Sequence, residues 1–221
     1  TCGVQGVEAL SPQFVLQQVE SCLSDIGADA IKIGMLGSPE TARLLAERLD
    51  TFAGPIVFDP VMVAKSGDTL LQRSAIDAMI DKILPLATLV TPNLPEAAQL
   101  LNEAPARTTD DMAAQGMRLL RMGPGAVLMK GGHAEGGTCT DVLVDATGVL
   151  ATLTSDRVAT RNTHGTGCTY SSTIAANLSK GLELDVAVGA AHRYLQGAIL
   201  AADELHIGKG HGPVHHFYGQ W

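Results

Sequence analysis

Short apolar runs alternate with longer amphipathic patterns along most of the chain, and this alternation constrains the possible fold more than any other feature. Runs of strand length occupy residues 30–35, 55–58, 87–90 and 126–129. Helical patterns occupy residues 11–24, 38–49, 74–84, 95–101 and 109–122, and two more begin near residues 167 and 186. Strands that are apolar throughout are typical of parallel sheets covered on both faces. The sequence therefore predicts an α/β fold, with a mostly parallel central sheet and helices on both faces.

One region departs from the parallel pattern. Residues 142–144 and 149–153 are apolar and flank a turn at residues 145–148, which predicts a short antiparallel pair. The 221 residues contain no repeat, no low-complexity stretch and no linker, so we expect a single domain over residues 1–221. The chain opens at Thr1 without an initiator methionine, which suggests that residues are missing upstream.

Composition excludes several classes of protein. Hydrophobic residues make up 46% of the chain and charged residues 17%, as expected for a globular protein with a large interior. The net charge of −8 argues against a general nucleic-acid binder. No apolar run approaches the roughly 20 residues needed to cross a bilayer, and no signal peptide is visible. Four cysteines without CxxC spacing favour a reducing, cytoplasmic compartment.

The segment Asn162-Thr163-His164-Gly165-Thr166-Gly167-Cys168-Thr169 is a glycine-punctuated loop that runs directly into a helical pattern. Glycines permit a tight turn, and the free N–H groups of a helix start form an anion site. Cys168 lies in that first turn, where the helix dipole favours a thiolate. An anion site beside a polarised side chain indicates phosphoryl transfer. The alternative is a simple helix cap.

Polar residues follow the predicted parallel strands at their carboxyl ends, where open α/β sheets bind ligands. These residues are Asp59, Asn93 with Glu96, and Lys130, together with the loop at residues 162–169. The set provides carboxylates that can hold Mg²⁺ directly or through water, a lysine for phosphate, and a helix start for developing charge. Phosphoryl transfer needs these parts because its catalysis is mainly positioning and electrostatic stabilisation.

Each of these polar residues also has a purely structural interpretation. Asp59 could cap a turn before Pro60, and Lys130 could be an ordinary residue at a strand end. Asn93 and Glu96 have the spacing of a helix capping box, which is sufficient to explain both. Their juxtaposition at one edge of a sheet favours the functional interpretation.

The apolar candidates have similar alternatives. Met35 and Val61 follow strands but are more often core residues than ligand contacts. A free cysteine such as Cys168 is most often a small buried hydrophobe.

Two histidine patterns are further candidates for a site. His211, His215 and His216 resemble metal ligands but lack convergent spacing. His164 and Cys168 invite comparison with Cys/His nucleophilic enzymes. No orienting Asn or Asp can be assigned, and such a hydrolase would leave the lysine and the acidic residues unexplained.

Four motifs in order give the chain a specific resemblance. They are Asp59-Pro60-Val61-Met62-Val63-Ala64-Lys65-Ser66-Gly67-Asp68, Thr91-Pro92-Asn93-Leu94-Pro95-Glu96-Ala97, Lys130-Gly131-Gly132-His133, and the loop at residues 162–169. These motifs, and the closing Gly210-His211-Gly212-Pro213-Val214-His215-His216-Phe217, resemble the bacterial hydroxymethylpyrimidine/phosphomethylpyrimidine kinases of the ribokinase-like superfamily. The resemblance implies a ribokinase-like fold and Mg-ATP-dependent phosphorylation of 4-amino-5-hydroxymethyl-2-methylpyrimidine, and then of its monophosphate, in thiamine biosynthesis.

The resemblance also implies roles for individual residues. Cys168 takes the place of the Asp base of most ribokinase-like enzymes and lies near the substrate hydroxyl, as proton acceptor or as positioning group. Gly165, Thr166 and Gly167 supply an anion hole for the transferred phosphoryl group, and Lys130 neutralises phosphate charge.

For the remaining residues the resemblance implies binding roles. Asn93 and Glu96 organise Mg²⁺ and the nucleotide phosphates, with Asp59 nearby, so that Asp59 and Glu96 are the metal-site candidates. Met35 and Val61 wall the pyrimidine ring, and the protein is a homodimer.

The chain departs from the family pattern at its start. It lacks the N-terminal strand end, the glycine-rich segment and a substrate-binding Gln, so part of the pyrimidine pocket and one neighbour of the sheet are expected to be absent. A pyridoxal kinase of the same superfamily is the nearest alternative. A non-catalytic pyrimidine-binding module is the alternative from another class.

Overall fold

In the computed structural model, which describes residues 1–62, 73–132 and 136–220, six strands form one sheet in the order of the chain. The strands are β1 (Ile31–Ile33), β2 (Ile56–Phe58), β3 (Leu89–Val90), β4 (Ala126–Met129), β5 (Thr138–Asp145) and β6 (Gly148–Asp156). Strands β1 to β4 are parallel, whereas β5 is antiparallel to both β4 and β6. The predicted mostly parallel sheet and the antiparallel pair are confirmed.

Seven α-helices lie before, between or after these strands in the described parts of the chain. They are α1 (Pro12–Asp25), α2 (Pro39–Leu49), α3 (Arg73–Ala78), α4 (Leu94–Leu101), α5 (Thr109–Leu120), α6 (Thr166–Leu178) and α7 (Leu184–Leu200). Local chemistry sets the starts of α1 and α2. The Ser11 and Ser38 side chains accept hydrogen bonds from backbone N–H groups of the first turn, and a proline follows each serine.

Side chains that alternate along the strands divide the core into two layers. Phe58, Val127 and Met129 pack with apolar residues of α2, α3, α4 and α5 on one face of the sheet. Val57 and Leu128 pack with residues of α6 and α7 on the other face. Helices therefore cover both faces, as predicted. None of the helices in the described residues has the length and apolar character needed to span a membrane.

Two predicted elements differ from the observed ones. The helix predicted for residues 74–84 is α-helical only to Ala78 and continues as a π-helical turn, Met79–Ile83. There Leu84 N–H donates to Met79 O, five residues back, just before Pro85, which has no N–H to continue the ladder. Strands β5 and β6 extend beyond the predicted runs, mainly on the side away from their shared turn, because residues 138–141 and 154–156 are mostly polar and gave no apolar signal.

Candidate active site

Backbone pairing brings two predicted site residues, Asp59 and Lys130, to one edge of the sheet together with Thr91. Asp59 N–H donates to Ile33 O of β1, and Thr91 N–H donates to Phe58 O of β2, each over 2.9 Å. Lys130 N–H donates to Pro92 O, also over 2.9 Å. Because β1 to β4 are parallel, the residues that follow them meet at their common carboxyl edge.

Asp59 is the centre of the polar cluster at this edge. Lys130 Nζ donates to Asp59 Oδ1 over 2.7 Å, and Thr91 Oγ1 donates to the same oxygen over 3.1 Å. The second oxygen accepts from Ser171 Oγ over 3.2 Å and lies 3.8 Å from Lys32 Nζ. Asp59 is only 1% exposed, so two ammonium groups and two hydroxyls replace water as the partners of its carboxylate. A simple turn cap before Pro60 does not explain these contacts.

The two lysines keep the buried carboxylate ionised. Burial raises the pKa of Asp59, but Lys130 and Lys32 outweigh burial and leave this pKa below its usual value. Burial lowers the pKa of Lys130, but the charges of Asp59 and Glu96 outweigh that effect and raise it. The cluster therefore holds a charged ammonium group at neutral pH.

Asn93 and Glu96 begin helix α4 through a reciprocal capping box. Glu96 N–H donates to Asn93 Oδ1 over 2.8 Å, and Asn93 N–H donates to Glu96 Oε2 over 2.7 Å. The structural interpretation of this pair is thus confirmed, and it places both side chains beside the cluster, since Asn93 and Lys130 form a parallel bridge. Burial raises the pKa of Glu96 to about 7, the charge of Asp59 adds to this, and Lys130 and Asn93 N–H oppose it.

The glycine loop delivers the N-terminus of α6 to the same cluster. Gly165 precedes the helix at φ 85°, a left-handed conformation that glycine adopts without strain, and no side chain caps the helix there. Thr169 N–H makes the first helical hydrogen bond, to Gly165 O, so the N–H groups of residues 166–168 have no partner within the helix. A Cβ atom at Gly167 would lie 3.3 Å from Lys130 Nζ, which shows how closely this turn approaches the lysine.

Cys168 is exposed at the start of α6, so its interpretation as a buried hydrophobe is wrong. It lines an open cleft of about 280 Å³. The other lining residues are Thr169, Ser172, Thr173, Tyr194 and His216. The Thr169 hydroxyl and His216 Nε2 are hydrogen-bonded over 2.9 Å. A substrate hydroxyl can thus reach the thiol from solvent, next to the free N–H groups of the helix start.

The two residues predicted to wall the pyrimidine lie beyond adjacent strands. Met35 follows β1 and is 42% exposed, so it is not a core residue. Val61 follows β2, is partly buried, and its N–H donates to Asp59 O over 2.8 Å. Both lie at the carboxyl edge, and their contact with a pyrimidine stays a prediction. Residues 63–68 of the first motif and His133 of the third lie outside the described residues.

The C-terminal histidines contact different parts of the protein. His211 Nδ1 lies 3.1 Å from Arg161 O, whereas His216 contacts Thr169 on α6. In the described parts of the chain, no three His, Cys, Asp or Glu side chains are grouped in a way that could hold a metal ion.

Sequence reasoning missed three polar residues near the cluster. Lys32 interrupts the apolar run of β1, and this interruption was an available signal. Ser171 Oγ contacts Asp59 and the Gly167 carbonyl from within α6, where the sequence showed only a small helical residue. Asp141 is buried at the start of an apolar run, and its Oδ1 accepts from Gly131 N–H over 2.9 Å.

Comparison with known proteins identifies the family of the chain. A model of the phosphomethylpyrimidine kinase family matches residues 1–215. The hydroxymethylpyrimidine/phosphomethylpyrimidine kinase of Rhizobium meliloti is 48% identical over the whole chain, which covers 83% of that relative. The protein of the same name from Escherichia coli is 45% identical, with the same coverage.

Solved structures show the same fold. A phosphomethylpyrimidine kinase from Clostridium difficile is 36% identical with a TM-score of 0.76, over 89% of this chain and 80% of that one. A Staphylococcus aureus pyridoxal kinase in complex with ADP is 32% identical with a TM-score of 0.88, over 100% of this chain and 80% of that one. The protein has the fold of these ribokinase-like kinases, and the chain belongs to the phosphomethylpyrimidine kinase family.

Proposed function

We propose that the protein transfers the γ-phosphoryl group of Mg-ATP to 4-amino-5-hydroxymethyl-2-methylpyrimidine, and then to the resulting monophosphate, in thiamine biosynthesis. The observation that supports this most directly is the approach of the uncapped start of α6 to Lys130, with Gly167 at the point of contact. Free N–H groups and an ammonium group facing one space form a site for a phosphoryl group that gains negative charge. The choice of a pyrimidine as substrate rests on the similar proteins that are named pyrimidine kinases.

In this proposal the chain contributes position and charge. The backbone N–H groups of Gly165, Thr166 and Gly167 donate hydrogen bonds to the oxygens of the transferred group, and Lys130 neutralises the charge of those oxygens. Cys168, exposed at the cleft, receives the substrate hydroxyl, either as proton acceptor or as positioning group. Met35 and Val61 wall the pyrimidine ring.

ATP use is supported by the similar kinase solved with ADP, and Mg²⁺ is part of the proposal. Asp59 and Glu96 offer the oxygen ligands that Mg²⁺ prefers. Asp59 already contacts two lysines and two hydroxyls, and Glu96 caps α4 through one oxygen. These contacts fit an ion that is held mainly by nucleotide phosphates and meets the two carboxylates through its waters. Such an ion would neutralise phosphate charge, and Asn93 would stay beside it as the helix cap.

Pyridoxal kinase is the second candidate function. It is favoured by the higher TM-score of the Staphylococcus aureus structure, 0.88 against 0.76 for the Clostridium difficile enzyme. The pyrimidine is preferred because the relatives at 45% and 48% identity are pyrimidine kinases.

We also propose that the protein is a cytoplasmic homodimer. Its four cysteines are all free, which suits a reducing compartment. Light scattering during size-exclusion chromatography checks the dimer: a mass near 23.0 kDa, that of one chain, would show a monomer instead.

The test is a phosphorylation assay with hydroxymethylpyrimidine and pyridoxal in parallel, on the 221-residue chain and on the full product of its gene. Two successive phosphate additions to the pyrimidine are expected. Turnover of pyridoxal alone would move the protein to the second function. Tight pyrimidine binding without ATP turnover by either form would identify a binding module.

A further inference from the structure

Asp141 is a buried carboxylate that the proposed chemistry does not use. It lies on β5 and is 7% exposed. Its Oδ1 accepts from the N–H of Gly131, the residue directly after Lys130, over 2.9 Å. A Cβ atom at Gly131 would lie 1.9 Å from Thr140 O, so this backbone is pressed against β5. Asp141 thus fixes the peptide that carries the lysine.

Tyr170 approaches the same carboxylate from α6. It is 3% exposed, and its hydroxyl has no hydrogen-bond partner of normal geometry among the described residues. The hydroxyl nevertheless interacts electrostatically with Asp141, and the His192 ring of α7 packs against the Tyr170 ring with centroids 6.2 Å apart. A buried hydroxyl that lacks a hydrogen bond of normal geometry contributes little to stability.

We propose that Asp141 and Tyr170 are positioning residues that set the separation between Lys130 and the first turn of α6. Asp141 contacts the peptide that follows Lys130, and Tyr170 lies two residues after Cys168. One buried carboxylate therefore links the two elements between which the phosphoryl group is transferred. This inference rests on the proposed kinase activity.

Loss of the carboxylate should lower kcat and leave KM almost unchanged, because neither residue is proposed to touch substrate. In Asp141→Ala we expect kcat to fall about 10- to 100-fold, the range that follows from leaving the buried Gly131 N–H without its acceptor. Asp141→Asn keeps an acceptor oxygen for Gly131 N–H and should recover most of kcat. Asp145→Asn, the same change at the other end of β5, is the matched control.

Tyr170→Phe separates positioning from structural support. It removes a hydroxyl that interacts with Asp141 without making a hydrogen bond of normal geometry, so Tm should change little while kcat falls about 3- to 10-fold. A residue with only a structural role would lose Tm and activity together. Unchanged kcat in Tyr170→Phe would remove Tyr170 from the proposal.

Amide hydrogen exchange of Gly131, measured by NMR, gives a readout that needs no turnover. Asp141→Ala should speed exchange at Gly131 at least about tenfold, with little change at Gly125 on the other side of β4. Unchanged exchange at Gly131, or wild-type kcat in Asp141→Ala, would overturn the proposal. If the wild-type enzyme phosphorylates neither alcohol, the proposed function fails, and Gly131 exchange still decides whether Asp141 holds the peptide.

Discussion

At Asp59 one carboxylate balances two ammonium groups, and this balance determines what Lys130 can do. An unpaired lysine at this depth would tend to lose its proton, whereas a lysine neutralised by a single partner would have little charge left for phosphate. With Lys32 as a second cation, Asp59 keeps Lys130 protonated, and these three side chains together carry one surplus positive charge, which Glu96 offsets in part as it ionises around pH 7. Attraction for an anion thus comes from the group of three side chains.

Replacing Cys168 tests the chemistry of the exposed thiol. Because Cys168 is exposed, Cys168→Ala should change the free energy of unfolding by no more than about 0.5 kcal/mol. Turnover should fall about 100-fold if the thiol assists proton transfer, while nucleotide binding stays nearly intact. Steady-state kinetics and calorimetric titration with ADP measure the two effects. Cys22→Ala, another exposed cysteine, is the control, and wild-type turnover in Cys168→Ala would exclude Cys168 from the chemistry.

Glu96→Gln should stabilise the protein above neutral pH and weaken its use of Mg²⁺. The folded-state pKa of Glu96 is about 7 against an ordinary 4.5, so its protonated form favours folding. The contribution of Glu96 to wild-type stability should therefore fall as pH rises from 4.5 to 7, by about 3 kcal/mol in total. Gln resembles the protonated acid and can still accept from Asn93 N–H, so Tm of the variant should exceed wild type at pH 8 and match it at pH 4.5.

The Mg²⁺ concentration for half-maximal rate should rise about tenfold in Glu96→Gln, as for lost outer contacts of a metal. Glu47→Gln on α2 serves as the exposed control. An unchanged Mg²⁺ titration would leave Glu96 with its capping role alone.

Helix α6 brings the anion site to Lys130 only because a glycine stands at the point of contact. In Gly167→Ala the new methyl group would lie 3.3 Å from Lys130 Nζ and 3.8 Å from Asp59 Oδ2, so the lysine must shift by a few tenths of an ångström. We expect kcat to fall about tenfold, with little change in Tm, since alanine favours the helix. Gly219→Ala, with open space around its Cβ position, is the control. Equal kcat in Gly167→Ala and wild type would show that Lys130 needs no exact placement.

The bounds of helices and strands could be predicted from the sequence wherever a local signal, such as a capping side chain or an apolar run, sets them. Ser11 and Ser38 predicted the starts of α1 and α2, and the apolar run at residues 126–129 predicted β4 with its observed bounds. The π-helical turn at residues 79–83 has no comparable signal, because Pro85 predicts where the helix ends but not that the Leu84 N–H bonds to Met79 O, five residues back.

The candidate site was predictable in part for the same reason. Parallel strands bring their carboxyl ends together, so Asp59 and Lys130 could be assigned to one place from strand order alone. The contact of Ser171 with Asp59 joins residues 112 positions apart, and it depends on the rotation of α6 over the sheet. That rotation follows from packing of residues such as Tyr170 and Ile174 on β-strand side chains, which no local pattern records.

Nucleotide binding should raise the stability of the whole molecule, and this rise should depend on Mg²⁺. A ligand that binds only the folded state at 100 times its Kd adds about 2.7 kcal/mol, which corresponds to a rise in Tm of roughly 5–10 °C for a chain of this size. We expect ADP with Mg²⁺ to produce this rise in differential scanning calorimetry, and EDTA to remove most of it, since the phosphates would then meet Asp59 and Glu96 without an intervening cation. Cys168→Ala should keep the full rise, because the thiol acts on the alcohol. A rise in Tm that EDTA does not change would mean that Lys130 and the start of α6 bind the phosphates without metal. The proposed Mg²⁺ site beside Asp59 and Glu96 would then be wrong.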